Sequence, residues 1–280
     1  MNKTKIIGIL FFCAGALLAQ DSPEKATVPL RDPSRPARIQ ATLMSGGITL
    51  RGADVKDVVV EARSRGEREY RGRHSDRAER ADRSDGMRRL DLPGNAGLDV
   101  TEEDNVVNIK TSSMNQPADL IITVPRRSSL RLKCMNDGDI YVEGVEGEID
   151  ANNLNGKITL KNVSGSVVAH SLNGAVVATL DSIDPSKPMS FSTLNGDIDV
   201  TLPATLKANV RMKTDNGEIY SDFEVKLTAG AGFVGNDSGR QPDGTYHLRF
   251  DHALRGTING GGPEFQFTSF NGQIYIRKKK

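Results

Sequence analysis

Glycine stands at positions 138, 147, 156, 165 and 174, nine residues apart each time, in the segments "NDGDIYV", "EGEIDA", "NGKITL", "SGSVVA" and "NGAVVATL". So regular an interval admits few folds, because nine residues suit one strand of about five and a turn of about four. The pattern returns at wider spacing in "NGDIDV" (Gly196), "NGEIYS" (Gly217) and "NGQIYI" (Gly272). Polar and apolar residues alternate after each glycine, and successive side chains on a strand face opposite ways. Ile140, Ile149, Ile158, Val176, Ile198, Ile219 and Ile274 are therefore expected to point one way as a buried column.

Two all-β architectures obey this arithmetic. In a single-chain β-solenoid, strands lie on different faces of a coil and equivalent turns stack; the intervals 156 to 174, 174 to 196 and 196 to 217 fit such a coil. In an antiparallel meander or sandwich, each Asn-Gly would close a two-residue hairpin. The solenoid is the favoured expectation, since Leu-Asn-Gly recurs at every second unit. The turns assigned are Asn155-Gly156, Asn173-Gly174, Asn195-Gly196, Asn216-Gly217 and Asn271-Gly272. Asn-Gly accepts positive φ at low cost, which is the reason given for the sharp corner. The asparagines are expected to stack into a ladder of side-chain amides. A functional reading of the same row, as a binding surface for a repetitive polymer, ranks below this because a glycine follows each asparagine.

Residues 1–19 run from Lys3 and Lys5 through "IIGILFFCAGALLA", which has the form of a secretory signal peptide. Residues 20–36 read as a disordered, Pro-containing tail, and residues 37–280 as the β-solenoid domain. The charged segment at about residues 63–89 reads as a flexible insertion, too poor in apolar groups to fold. No later segment is apolar enough to span a membrane. Removing Lys3 and Lys5 leaves 35 of the 37 basic residues against 36 acidic ones, so no global attraction to nucleic acid is expected. Cys13 lies in the signal, and its bulky "LFFC" context disfavours lipidation. Cys134 is the other cysteine, so a mature chain holds no intramolecular disulfide.

The "SGGITLRG" opening, "DLIITVP", the serial Asn-Gly units and the closing "GTINGGGPEFQFTSFNGQIYIRK" resemble the "putative adhesin" β-strand-repeat family of exported bacterial proteins. The resemblance covers about residues 37–278, and the Arg-rich insertion departs from it. It implies a β-solenoid in a secreted or cell-envelope location. It supplies no catalytic residues, because the family's domain has no established biochemical activity.

The residues themselves point the same way. His74, His170, His247 and His252 do not show metal-ligand spacing, even with Asp251 near the last two, and Cys134 has no local histidine to activate it. No phosphate loop, dinucleotide fingerprint or Gly-x-Ser-x-Gly elbow occurs. The carboxylate pairs Asp137/Asp139, Glu148/Asp150 and Asp197/Asp199 share strand faces and would suit glycoside cleavage or calcium. Outward strand positions must be polar anyway, so Asp139, Asp197 and Asp199 stand as surface candidates only. Aromatic residues make up 5% of the chain and tryptophan is absent, which offers no obvious platform for sugars. The expectation is an exported, non-enzymatic adhesin-like or envelope scaffold, needing no metal or cofactor, that meets a polysaccharide or protein partner. The alternatives are a carbohydrate-active β-helix and an envelope sensory component docking through the Arg-rich loop.

Overall fold

The computed structural model describes residues 24–65, 98–111, 117–228, 233–234, 239–240, 246–247, 250–251 and 253–280, and these are all-β. Ahead of the repeats come β1 (Glu24–Pro29), β2 (Ala37–Ser45), β3 (Ile48–Ala53), β4 (Asp57–Ser64), β5 (Leu98–Glu103), β6 (Val106–Thr111) and β7 (Ala118–Pro125). The repeats supply β8 (Ser128–Asn136), β9 (Ile140–Glu143), β10 (Glu146–Asn155), β11 (Ile158–Asn173), β12 (Val176–Ile183), β13 (Met189–Asn195), β14 (Ile198–Leu202), β15 (Ala208–Asn216) and β16 (Ile219–Ser221). There follow β17 (Val225–Leu227), two small antiparallel pairs formed by β18 (Phe233–Val234) with β21 (Phe250–Asp251) and β19 (Gly239–Arg240) with β20 (Tyr246–His247), then β22 (Leu254–Ile258), β23 (Glu264–Asn271) and β24 (Ile274–Lys278).

The strands on either side of each repeat glycine pair in parallel with strands of other repeats, so the hairpin considered for each Asn-Gly does not form at these corners. One parallel stack runs β6, β2, β8, β10, the second half of β11, β13, β23, β15. A second runs β7, β3, β9, the first half of β11, β12, β14, β24, β16. The chain crosses from the first stack to the second at Gly46, Gly138, Gly156, Gly174, Gly196, Gly217 and Gly272. A strand of each stack and the glycine corner between them make one rung. Gly147 and Gly165 mark the return crossings, which explains the nine-residue spacing: each full rung turns twice.

Inward side chains of both stacks merge in one apolar core. In the second stack, Ile48, Ile140, Ile158, Val176, Ile198, Ile274 and Ile219 are cross-strand partners in series. All but the half-buried Ile219 are fully buried, and each buried member contributes about 1.5–3 kcal/mol. Ile149, expected in this column, belongs to the first stack, where it pairs with Leu130 and Val167. The displacement has a simple cause: successive nine-residue units alternate between the two stacks. Phe191 and Phe267, stacked 5.4 Å apart in register, fill the first stack where Ala41, Ala151 and Ala169 stand on earlier rungs.

Antiparallel strands cover the ends. β5 pairs with β6 through a two-residue turn in which Asp104 (φ 52°) and Asn105 (φ 62°) are both left-handed, the geometry that suits strand twist. β4 covers β7 and is itself covered by β1; at the far end β22 pairs with β15 and β17. Residues 20–36, expected as a disordered tail, thus contribute β1, whose alternating "KATVP" continues the sheet against Val58 and Val60. The buried Asn105 amide also holds residues 32–35, donating to Asp32 O at 2.6 Å and accepting from Asp32 N at 2.8 Å. The signal segment and most of the Arg-rich insertion lie outside the described residues. Of the insertion's start, Arg65 donates to Asp119 Oδ2 at 2.8 Å and to Asp137 O at 2.7 Å.

Candidate interaction surface

Each glycine corner is a small hydrogen-bonded device repeated from rung to rung. Asn173 Nδ2 donates to Asn155 Oδ1, Asn195 to Asn173, Asn271 to Asn195 and Asn216 to Asn271, all at 2.8 Å. The backbone follows suit: Gly156 N donates to Asn173 O at 3.0 Å and Gly174 N to Asn195 O at 2.9 Å. The glycine carbonyls are met from the next rung. Ser171, Thr193, Ser269 and Thr214 donate their hydroxyls to Gly156, Gly174, Gly196 and Gly272 O at 2.8–3.1 Å. Asn153 Nδ2 does the same to Gly138 O at 2.8 Å, and Cys134 Sγ to Gly46 O at 2.9 Å.

The reason given for glycine holds at only some of these corners. Gly196 (φ 155°) and Gly272 (φ 158°) have positive φ, whereas Gly156, Gly174 and Gly217 do not, and neither do the asparagines that precede them; before Gly138 it is Asp137 that is left-handed (φ 53°). Space is what excludes a side chain: a Cβ on Gly156 would lie 2.1 Å from Gly138 O, and one on Gly174 2.2 Å from Gly156 O. The buried hydroxyl row went unnoticed in the sequence. Its signal was a Ser or Thr two residues before four of the five Asn-Gly corners (Asn153 takes the place at the fifth), at a position that alternation assigns to the core.

Of the surface candidates, Asp139 is not brought near Asp197 and Asp199. Asp139 Oδ1 accepts from Lys157 N and Asp197 Oδ1 from Gln273 N, each at 2.8 Å, so both tie one rung to the next. They stand three rungs apart, about 14 Å at the usual strand spacing. Asp199 holds Arg277 in a two-pronged pair at 2.7 and 3.1 Å. His170 Nδ1 lies 2.8 Å from Ser192 Oγ on an exposed face, while His74, His252 and the His247 side chain fall outside the described residues. Among the described residues no group of three or more His, Cys, Asp or Glu is placed to hold a metal, and no helix is long and apolar enough to cross a membrane. Burial pushes the Cys134 thiol up to about 12, which makes it a poor nucleophile.

The outward face of the first stack carries long polar rows. One runs Thr42, Lys133, Asn152, His170, Ser192, Thr268, Lys213, each residue the partner of the next. Two neighbouring rows, Arg38, Ser129, Glu148, Ser166 and Gln40, Arg131, Asp150, Val168, cross β2, β8, β10 and β11 and line a shallow concavity of about 480 Å³. Arg131 pairs with Asp150 at 3.5 Å, and Asn152 Nδ2 donates to Asp150 Oδ1 at 2.6 Å. Glu148 takes the ammonium of Lys187, and that bond raises the Lys187 pKa above its ordinary value. On the second stack, Tyr220 and Tyr275 stack 5.2 Å apart with the Arg277 guanidinium 5.1 Å from the Tyr275 ring.

No family model matches the chain, and no curated protein does. Among solved structures, the chain is similar to a "putative cell adhesion protein" from Clostridium sporogenes, with 10% identity and a TM-score of 0.45 over 92% of this chain and 100% of that one. It is also similar to a "putative adhesin" from Bacteroides fragilis, with 11% identity and a TM-score of 0.39 over 93% of this chain and 98% of that one.

Proposed function

We propose that the chain is an exported, non-enzymatic β-solenoid that serves as an adhesin-like or cell-envelope scaffold, in keeping with the repeat family its motifs resemble. One observation carries this reading: parallel pairing in register sets outward residues in straight rows, such as Thr42 to Lys213, at one strand spacing. Such a face meets a partner through many weak hydrogen bonds and ion pairs, and repetition multiplies them into useful avidity. Absence of enzymatic activity is part of the proposal, supported by the engagement of Asp139, Asp197 and Asp199 in rung-to-rung bonds.

The test is retention of the labelled mature chain on intact bacterial cells and isolated envelopes at low and high salt. Retention that weakens with salt and with the double substitution Lys133→Glu/Lys213→Glu is expected. No retention at any salt, or release of reducing sugars from envelope glycans by the chain, overturns the reading.

A further inference from the structure

The concavity on the first stack has a charge pattern of its own. Its two carboxylates are both matched, Asp150 by Arg131 and Glu148 by Lys187. Arg38 is exposed and carries no ion pair among the described residues: the lining sets Arg38 and Arg131 against Glu148 and Asp150, and because Glu148 is turned to Lys187 from outside the patch, the Arg38 guanidinium is left without an anion of its own. The four strands span about 14 Å and the two rows lie about 7 Å apart, by ordinary strand geometry. Across that area donors and acceptors alternate: guanidinium, hydroxyl, carboxylate and hydroxyl in one row; amide, guanidinium, carboxylate and an exposed Val168 in the other.

That composition selects a ligand class. Centres of protein–protein contacts are poor in charge, whereas this patch is densely charged. A nucleic acid would set its phosphates against Glu148 and Asp150. A short saccharide with one acidic group fits: its hydroxyls suit the carboxylates and amide, and its carboxylate suits a free guanidinium, which binds such groups with two parallel bonds. Volume agrees, since small-molecule sites usually run from about 300 to 1,000 Å³.

We propose that this concavity binds an acidic oligosaccharide, with its carboxylate on Arg38, its hydroxyls on Gln40, Glu148 and Asp150, and an apolar sugar face on Val168. The assignment rests on the reading of the chain as a non-enzymatic binding scaffold, and gives that scaffold a specific subsite.

Calorimetric titration of the full chain with trigalacturonate as probe, and with maltotriose as its neutral counterpart, tests it. Trigalacturonate is expected to bind, with affinity that falls on adding salt, and maltotriose at least about tenfold more weakly, as loss of one charge-assisted bond implies. Arg38→Ala and Asp150→Asn, both at exposed or half-exposed positions, should each weaken trigalacturonate binding by about tenfold. Absence of trigalacturonate binding, or binding indifferent to Arg38→Ala, overturns the proposal. Binding of a heparin-derived tetrasaccharide alone overturns the carboxylate assignment. Retention on cells that survives Arg38→Ala together with loss of trigalacturonate binding would leave the scaffold reading standing and separate this site from the adhesive face.

Discussion

At the scale of the residue, the corner carbonyls of stacked glycines need a donor that fits inside a closed core, and a hydroxyl does this without surplus. Asn153 brings a surplus: its Nδ2 serves Gly138 O, but its Oδ1 is buried without a hydrogen-bond partner among the described residues. Asn153→Thr keeps the donor as Thr193 and Thr214 do, and removes the stranded oxygen. Stability should rise by about 1 kcal/mol, read from the denaturant midpoint. A midpoint lower than that of the native chain would mean that the amide fills space a threonine cannot.

Cys134 occupies the same row, and its raised pKa makes a pH prediction. The folded thiol titrates near 12 and the unfolded one near 9.0, so the folded state binds the extra proton between those values. Its stabilising contribution is complete below pH 9 and is lost as pH climbs towards 12, at about 1.4 kcal/mol per pH unit. Comparing the stability of the native chain with that of Cys134→Ser, which retains a donor for Gly46 O, should show this slope in the difference. Equal pH dependence for both would refute it. The sequence showed only that Cys134 has no local histidine to activate it; its place in the row depends on the rungs lying in register.

At the scale of the element, the strands were legible because alternation of apolar and polar residues is a local property. Their pairing was less so. Ile149 obeys the same alternation as Ile140 and Ile158 yet faces the core from the opposite stack. The 16-residue β11 joins both stacks and shifts register between Leu160 and Val163 and again between Val163 and Ser164, just ahead of Gly165, where the chain stays in strand conformation. The asparagine ladder is the element most easily tested. Asn173 donates to Asn155 and accepts from Asn195, whereas Asn216 has a ladder bond on one side, to Asn271. Asn173→Ala should cost about 1 kcal/mol and Asn216→Ala about half that, since exposed amide bonds contribute modestly. Chemical denaturation would check the ratio; a larger loss at Asn216 would show that the corner is held by something other than the side-chain ladder.

At the scale of the whole molecule, the rungs do not stack in chain order. The β2 and β3 rung lies between β6/β7 and β8/β9, and the β23 and β24 rung between β13/β14 and β15/β16. The last strand of the chain therefore sits inside the stack. Ending the chain at Pro263 would remove β23 and β24, uncover Phe191 and Ile198, leave β16 without its partner strand, and leave β15 tied to β22 but cut off from the stack. Thermal unfolding should lose its native midpoint, and limited proteolysis should cut throughout residues 203–263. A stack built in chain order would shed one end rung and little else, so a truncated chain with a native midpoint would contradict the interleaved order.

The sequence by itself determined the strand, the corner and the rung: alternation fixes which side chains turn inward, and a site where one backbone passes another at van der Waals distance admits only glycine. Both are local requirements that every copy of the unit must meet. Which rung lies beside which was decided only in the tertiary structure. Rungs so alike offer one another nearly the same backbone ladder and the same aliphatic column, so their order depends on the covering strands at the two ends, and on Phe191 finding Phe267 from 76 residues away. The concavity of Arg38, Glu148 and Asp150 comes from that order too, since it needs β2 beside β8, a neighbour some ninety residues further along the chain.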